Sequence, residues 1–279
     1  MSQPNERIVV KIGGAKGIDM RPLLDDVAML QESGVELVLV HGGSDETNRL
    51  QELLGTPARF LTSPGGQVSR HTDREALEAF AMATALVNRR LVEGLQKREV
   101  RTLGLSGFDG RLLRARRKGA VRVLENDRVH IVRGQWTGMI EGVDTEFLEP
   151  WLAAGYLPVI APLAAGREGE MLNVDGDRAA AALASALGAA RLVILTNVPG
   201  LLADPQRPDS LIEHLGSGQL DHAMNVAQGR MRKKVLGARE ALEGGVERVV
   251  LADARREAPI TFALRGGGTT FGTPLEMTA

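Results

Sequence analysis

The sequence predicts an α/β fold: a three-layer αβα sandwich around a mainly parallel, open sheet, with a β-hairpin projecting from it. Three observations carry this expectation. Short apolar runs, among them Leu37–Val40, Leu157–Ile160 and Leu192–Leu195, lack the polar alternation of a half-solvated strand and match strands covered on both faces. Stretches with helical spacing separate them, and such alternation implies right-handed crossovers between parallel strands. Between Val121 and Val132, by contrast, two short alternating segments flank Glu125-Asn126-Asp127, the pattern of an antiparallel pair.

Composition narrows the function classes. A chain of 279 residues can bury a large core, and a single domain over 1–279 with lobes at about 1–170 and 171–279 is expected. With 3% aromatic residues there is little material for base stacking, and a net charge of −1 gives no global attraction to nucleic acid or membrane, so neither partner is expected. The absence of cysteine removes disulfides, thiolate metal sites and cysteine nucleophiles. Five histidines without an HxxxH pair predict no histidine metal site, and no metal-binding residues are assigned. The leading MSQPNE has no apolar signal region and no apolar run nears eighteen residues, which predicts a cytoplasmic protein.

In chain order, Arg7–Ile12 is a strand ending at Gly13-Gly14, with Lys11 at its carboxyl end. Glycines admit backbone N–H groups to an anion and an ammonium adds a mobile charge, although KxGG equally fits a plain strand-to-helix turn. Pro22–Gln31 is helical. Glu36–Val40 returns as a strand running into His41-Gly42-Gly43-Ser44, a second glycine turn in the adjacent βα unit, and the pair predicts a shared anion site. His41 is read as a structural hydrogen-bonding residue. Phe60–Gly66 reads as a loop before a long helix from about Arg74 to Arg98. Arg70, on the approach to that helix, could hold a carboxylate through paired hydrogen bonds or be a solvated surface arginine.

Leu103–Gly110 is a strand and polar turn. From Gly110 to Arg133 there are eight cations against two acids, a local excess of six on a chain of net charge −1. Solvation of a hairpin explains such charge, and so does a steering surface for an acidic partner. Phe147–Ala154 is helical, Leu157–Ile160 is a strand, and Ala165–Gly169 is a loop.

The stretch Met171–Leu201 concentrates the chemistry. Asn173, Asp175 and Asp177 stand just before the Ala-rich helical run Ala179–Leu187, where Asp175 or Asp177 could cap the helix. One cap needs one such side chain, and three lie within five residues. After Gly188 and the strand Leu192–Leu195, the turn Thr196-Asn197-Val198-Pro199-Gly200 lies where open parallel sheets bind ligands, beyond the strand ends. Leu201–Pro205 is a polar loop. Gly229–Glu243 is a helix opening on Arg230, Arg232, Lys233 and Lys234, four cations that oppose the macrodipole unless an anion such as a triphosphate sits there. Arg248–Ala252 is a strand, and Gly268–Thr273 closes the last one.

Taken together, KIGG at 11–14, HGGS at 41–44, SRHTD at 69–73, NVDGD at 173–177, TNVPGLLADP at 196–205 and GRMRKKV at 229–235 resemble the amino acid kinase superfamily, and the acetylglutamate kinases within it. TSPGGxxSRxTDRE, GLSGxDG and the basic RLLRARRKGAVRV are further similar to the kinases that act on aminoadipate held by an acidic amino-group carrier protein in lysine synthesis. The resemblance implies the amino acid kinase fold, ATP as co-substrate, Mg²⁺ and a homodimer. It implies Lys11 and Lys234 flanking the transferred phosphoryl group with Asp177 holding both. Gly43 and Ser44 would supply backbone N–H groups, and Arg70 and Asn173 would bind the amino acid. Gly13, Gly14, Asn197, Val198, Gly200 and Leu202, with Lys234, would line the ATP side. Arg111, Arg114, Arg116, Arg117 and Lys118 would meet the carrier protein. Ser44 stands where the family has a third glycine, and nothing before Arg7 corresponds to the extra helix of arginine-inhibited acetylglutamate kinases. The same residues would serve N-acetylglutamate or carrier-bound glutamate, and a non-catalytic amino-acid or nucleotide sensor would keep the fold without needing both lysines and Asp177.

Overall fold

A computed structural model of the chain describes residues 6–273 apart from 15, 16, 67, 127 and 208, so Asp127 of the expected hairpin turn and the leader before Glu6 lie outside the described residues. Strand β1 (Arg7–Ile12) leads to helix α1 (Met20–Glu32), then β2 (Glu36–His41) to α2 (Ser44–Leu53). A small hairpin, β3 (Phe60–Thr62) with β4 (Val68–Arg70), precedes the long α3 (Arg74–Gln96). Five strands follow, β5 (Thr102–Ser106), β6 (Leu113–Arg117), β7 (Ala120–Glu125), β8 (Arg128–Arg133) and β9 (Gly138–Val143), and then α4 (Thr145–Ala153). Next come β10 (Leu157–Ala161), β11 (Leu163–Ala165), β12 (Met171–Asn173), α5 (Gly176–Ala186) and β13 (Arg191–Thr196). The chain closes with β14 (His214–Leu215), α6 (Leu220–Val226), α7 (Gly229–Glu243), β15 (Arg248–Asp253), α8 (Pro259–Leu264) and β16 (Thr269–Gly272).

The central sheet has eight strands in the order β14-β16-β15-β13-β1-β2-β10-β5. Its neighbours pair in parallel except β15 with β16, which are antiparallel near one edge. Alternation along the strands sorts the core into two layers. Ile8, Val10 and Ile12 of β1, with Leu37, Leu39, Val193 and Leu195, pack under α1, α3 and α8. Val9, Val38, Val40, Leu192 and Ile194 face α4, α5 and α7 on the other side. The three-layer sandwich is therefore present. Lys11 falls on the face of Val9, so the lysine of β1 points toward α5 and α7.

Four strands form a second sheet in the order β12-β11-β6-β9, and β7 pairs with β8 as a hairpin in register from Ala120↔Arg133 to Glu125↔Arg128. Two expectations change here, and a third gains detail. Phe60–Gly66 is not all loop, because Phe60–Thr62 pairs antiparallel with Val68–Arg70; strands of three residues are too short to show a period. The loop expected at Ala165–Gly169 is present as the tight turn between antiparallel β11 and β12, with Ala165 ending β11. The basic run splits: Arg114, Arg116 and Arg117 lie in β6, Arg111 precedes it and Lys118 follows it, while the hairpin begins only at Ala120. The partner of β6 is β9, more than twenty residues away, and a pairing that distant leaves no local signature.

Candidate active site

The first two parallel strands end in glycine turns, and the turns meet. Gly42 N donates to Ile12 O at 3.0 Å, and Asp45 N donates to Gly14 O at 3.1 Å. A Cβ on Gly14 would stand 2.7 Å from the nitrogen of Gly43 and 3.0 Å from that of Ser44, so only glycine lets these backbones touch. Ser44 is the first residue of α2, with Gly43 as its N-cap at φ −146°. A serine thus replaces a glycine there without backbone strain, and its N–H belongs to a helix N-terminus.

Two helices converge on the same point. The N-cap of α5 is Asp175, whose Oδ1 accepts from Asp177 N at 3.0 Å and Arg178 N at 3.3 Å. Asp175 therefore does the capping and Asp177 is released for another task. Lys11 Nζ lies 2.8 Å from Asp177 Oδ1, and Lys234 Nζ of α7 donates to both carboxylate oxygens at 3.2 Å. Arg178 and Glu240 tie α5 to α7 at 2.7 Å, which fixes the spacing of the two helices. All three side chains of the cluster are nearly inaccessible, between 8 and 13% exposed.

Burial opposes every charge in this cluster. For Asp177 that penalty is outweighed by the charges and hydrogen bonds of Lys11 and Lys234, which hold its carboxyl well below the usual carboxylate range. Lys11 is lowered by burial but raised more by Asp177, so its ammonium is retained. Lys234 is pushed down, first by burial and then by the like charge of Lys11. One carboxylate cannot neutralise two buried ammoniums, and an anion placed between them relieves the surplus.

The cluster forms the floor of a cleft of about 770 Å³. Its described lining carries eight cationic side chains against the two carboxylates Asp175 and Asp177, a balance suited to polyanionic ligands. Arg70, on β4, donates to Gln51 Oε1 and Asn48 Oδ1 at 2.5 Å each and lies 5.2 Å over the Phe60 ring. Those partners are neutral, which leaves the guanidinium charge for a ligand carboxylate. Asn173 Nδ2 donates to Thr72 Oγ1 at 3.3 Å, and Thr72 Oγ1 in turn donates to Arg70 O at 3.3 Å. The residues assigned to the amino acid thus share one bonded chain.

Of the residues singled out from sequence, Lys11, Gly13, Gly14, Gly43, Ser44, Arg70, Lys118, Asn173, Asp177, Asn197, Val198 and Lys234 line this cleft. Gly200 and Leu202 lie off it. Gly200 has Thr269 Oγ1 2.6 Å from where its Cβ would be, and Leu202 bridges to Leu211. Arg111, Arg114, Arg116 and Arg117 also lie outside the lining. Arg116 pairs with Glu141 at 3.1 Å, and Arg117 stacks 3.6 Å over the Trp136 ring while its Nε donates to Gln135 O at 2.7 Å. Asn48 and Gln51 were not singled out; their signal, polar residues one turn apart on α2, is indistinguishable from a solvated helix face. His41 is buried, with Nδ1 3.0 Å from Gly42 O and Nε2 3.2 Å from Asn88 Nδ2, in keeping with a structural role. Among the described residues no group of three or more His, Asp or Glu side chains could hold a metal ion.

Comparison with known proteins agrees with this geometry. Residues 6–253 match the sequence profile of the amino acid kinase family. The [LysW]-aminoadipate kinase of Thermus thermophilus is 53% identical over 265 residues, spanning 94% of this chain and 98% of that protein. Its counterpart of the same name from Deinococcus radiodurans is 51% identical over 263 residues, 94% of this chain and 90% of that protein. Among solved structures, N-acetylglutamate synthase from Neisseria gonorrhoeae, complexed with coenzyme A and N-acetyl-glutamate, matches with a TM-score of 0.78 at 27% identity, covering 97% of this chain and 60% of that one. The chain belongs to the amino acid kinase family.

Proposed function

We propose that this chain transfers the γ-phosphoryl group of ATP to the distal carboxylate of aminoadipate that is attached through its amino group to an acidic carrier protein, LysW or its counterpart. The observation that carries the reading is the Lys11–Asp177–Lys234 cluster at the meeting point of two glycine turns. Its support from relatives is the name shared by the Thermus and Deinococcus proteins.

The chemistry asks little of a base. A carboxylate is ionised at neutral pH, so one of its oxygens attacks the γ-phosphorus directly while the bond to the β–γ bridging oxygen breaks and ADP leaves with the electron pair. The products are an acyl phosphate and ADP, and the protein's work is alignment and charge neutralisation. Lys11 and Lys234 stabilise the phosphoryl oxygens, Asp177 fixes the two ammoniums, and Gly14, Gly43 and Ser44 present backbone N–H groups. Arg70 and Asn173 hold the amino acid. Gly13, Asn197 and Val198 bound the nucleotide side, so that residues 1–170 chiefly serve acceptor and carrier and 171–279 chiefly serve ATP.

Magnesium fits as an ion carried in on phosphate. Asp177 is engaged by both lysines and Asp175 caps α5, with Oδ2 only 3.9 Å from Lys233. Asp175 would hold the ion together with phosphate oxygens of ATP, as is usual for Mg²⁺, and the ion when bound would neutralise phosphate charge. The carrier would dock on the exposed cations Arg111, Arg114 and Arg116 and on those of the hairpin. We read the chain as cytoplasmic; no helix among the described residues is long and apolar enough to cross a membrane. We also read it as a homodimer, because Leu53 at the end of α2, its C-cap Leu54, and Met82 and Leu86 on the adjoining α3 are exposed apolar side chains.

The test is a comparison of acceptors: carrier-linked aminoadipate, carrier-linked glutamate and free N-acetylglutamate, each with ATP. The highest kcat/KM is expected for carrier-linked aminoadipate. A higher value for either alternative would reassign the acceptor.

A further inference from the structure

Residues 134–137, which join β8 to β9, contain one side chain that does not behave like a linker's. Arg133 and Gly134 before it are exposed, yet Gln135 is only 1% exposed. A buried amide must find partners for both of its ends. Gln135 Oε1 accepts from Thr72 N at 3.2 Å, and its Nε2 donates to Nδ1 of His71, which leaves the imidazole proton on the ring nitrogen that faces Asp73. Both contacts fall on the segment between β4 and α3, 63 and 64 residues away along the chain.

That segment ties the acceptor residues together. Thr72 is fully buried and its polar atoms are all engaged: N by Gln135, O by Trp136 N at 2.7 Å, and Oγ1 by Asn173 Nδ2 and Arg70 O at 3.3 Å each. Thr72 is thus the link between the two residues assigned to the amino acid. Gln135 in turn stands on a fixed support. Its N donates to Gly119 O at 3.3 Å, its O accepts from Arg117 Nε at 2.7 Å, and Trp136 O accepts from Asn173 N at 3.0 Å. Removing the amide would cut two bonds to residues 71 and 72 and leave the backbone bonds around them in place.

Gln135 does not line the cleft, so it acts through the residues that do. The strands β3 and β4 have three residues each, too few to hold Arg70 rigidly by themselves. We propose that Gln135 is a positioning residue for the acceptor: by fixing Thr72 it sets where Arg70 and Asn173 stand relative to each other, and so how well the two meet the amino acid. This rests on the acceptor site proposed above.

The experiment is steady-state kinetics on the full chain, with ATP and the acceptor that the comparison above selects, for the native protein, Gln135→Met, Gln135→Glu and Arg70→Ala. Gln135→Met keeps the length of the side chain without either hydrogen bond. It is expected to raise KM for the acceptor about tenfold, the scale of losing one or two buried hydrogen bonds, with KM for ATP within about twofold of native. Gln135→Glu keeps an oxygen for Thr72 N and is expected to recover most of the loss. A purely structural role predicts a different split, a smaller active fraction with both KM values unchanged, and that result would overturn the inference. Gln135→Ala, which lets water reach Thr72 N without holding it in place, decides the same question should Gln135→Met not fold, with the same rise in acceptor KM expected. If Arg70→Ala raises the acceptor KM and the Gln135 variants do not, this inference alone fails. If Arg70→Ala leaves it unaltered as well, the acceptor site proposed above fails with it.

Discussion

Two charged regions of this molecule follow opposite rules. Around Asp177, three charges from β1, α5 and α7 are buried and bonded to one another within 3.2 Å. Across Arg111–Arg133, eight cations are spread over two sheets, and all but Arg117 and Lys118 stand exposed. Buried charges cost free energy unless geometry is fixed, so the first region is held by a helix cap, a cross-helix ion pair and two backbone turns. Exposed charges cost little and need no fixed geometry, so the second acts through its field. On the proposed reading, the first region serves the reaction and the second the encounter with the carrier.

The sharpest way to break that contrast is to remove the central charges. Lys11→Met and Lys234→Met are each expected to lower kcat by about a thousandfold, the scale of losing one preorganised charge from a transition state. Asp177→Asn is expected to lower kcat comparably and also to destabilise the fold by about 3–5 kcal/mol, because it strands two buried ammoniums. Urea unfolding beside steady-state assays separates the two effects. The acid dependence has a definite sign. The carboxyl of Asp177 is depressed below its ordinary 3.8, so its stabilising contribution is fully present above that value and is lost as pH falls below it.

Gly14→Ala probes the backbone that supports the cluster. Its new methyl would meet Gly43 N at 2.7 Å and force the turns apart, and kcat/KM is expected to fall about a hundredfold while the far core stays folded. The double change Arg114→Glu with Arg116→Glu tests the other region. It is expected to raise KM for the carrier-linked acceptor about tenfold, to leave turnover at saturation nearly intact, and to lose its effect as salt is raised. A fall in saturated turnover would mean that the exposed cations take part in the chemistry.

The smallest effect on catalysis at neutral pH is expected from His41. Burial pushes its imidazole down to about 4, so it is neutral when the enzyme works. The unfolded chain binds a proton near 6.5 and the folded one does not, so stability falls as pH drops through that window. The native protein is expected to lose about 2 kcal/mol from this residue between pH 7 and 5. His41→Gln should flatten that part of the curve in urea unfolding at the two pH values.

The buried half of this architecture was legible because local sequence carries it. IVVKI and ELVLV are continuous apolar runs with glycines directly after them, and the excess of Asx residues before the Ala-rich helix signalled chemistry beyond a cap. That Asp175 caps and Asp177 bridges needed three dimensions, since the two lie two positions apart on the same turn. The cations from Arg111 to Lys118 read as continuous with the hairpin of Val121–Val132, whereas β6 finds its partner in β9, and antiparallel pairing over that distance has no local period. Lys118 was grouped with its exposed neighbours for the same reason. Gly200 and Leu202 carried the family's pattern, yet here they pack against Thr269 and Leu211.

On the proposed reading, Lys11 and Lys234, joined by Asp177, act on the phosphoryl group during transfer to a carboxylate. Rapid-quench trapping with hydroxylamine, at saturating ATP and carrier-linked aminoadipate, reads that step directly as hydroxamate formed from the acyl phosphate. The native protein should form hydroxamate within its first turnover, and Lys11→Met and Lys234→Met should each form it at least about a hundredfold more slowly. Hydroxamate appearing at the native rate in either variant would exclude the replaced lysine from that step.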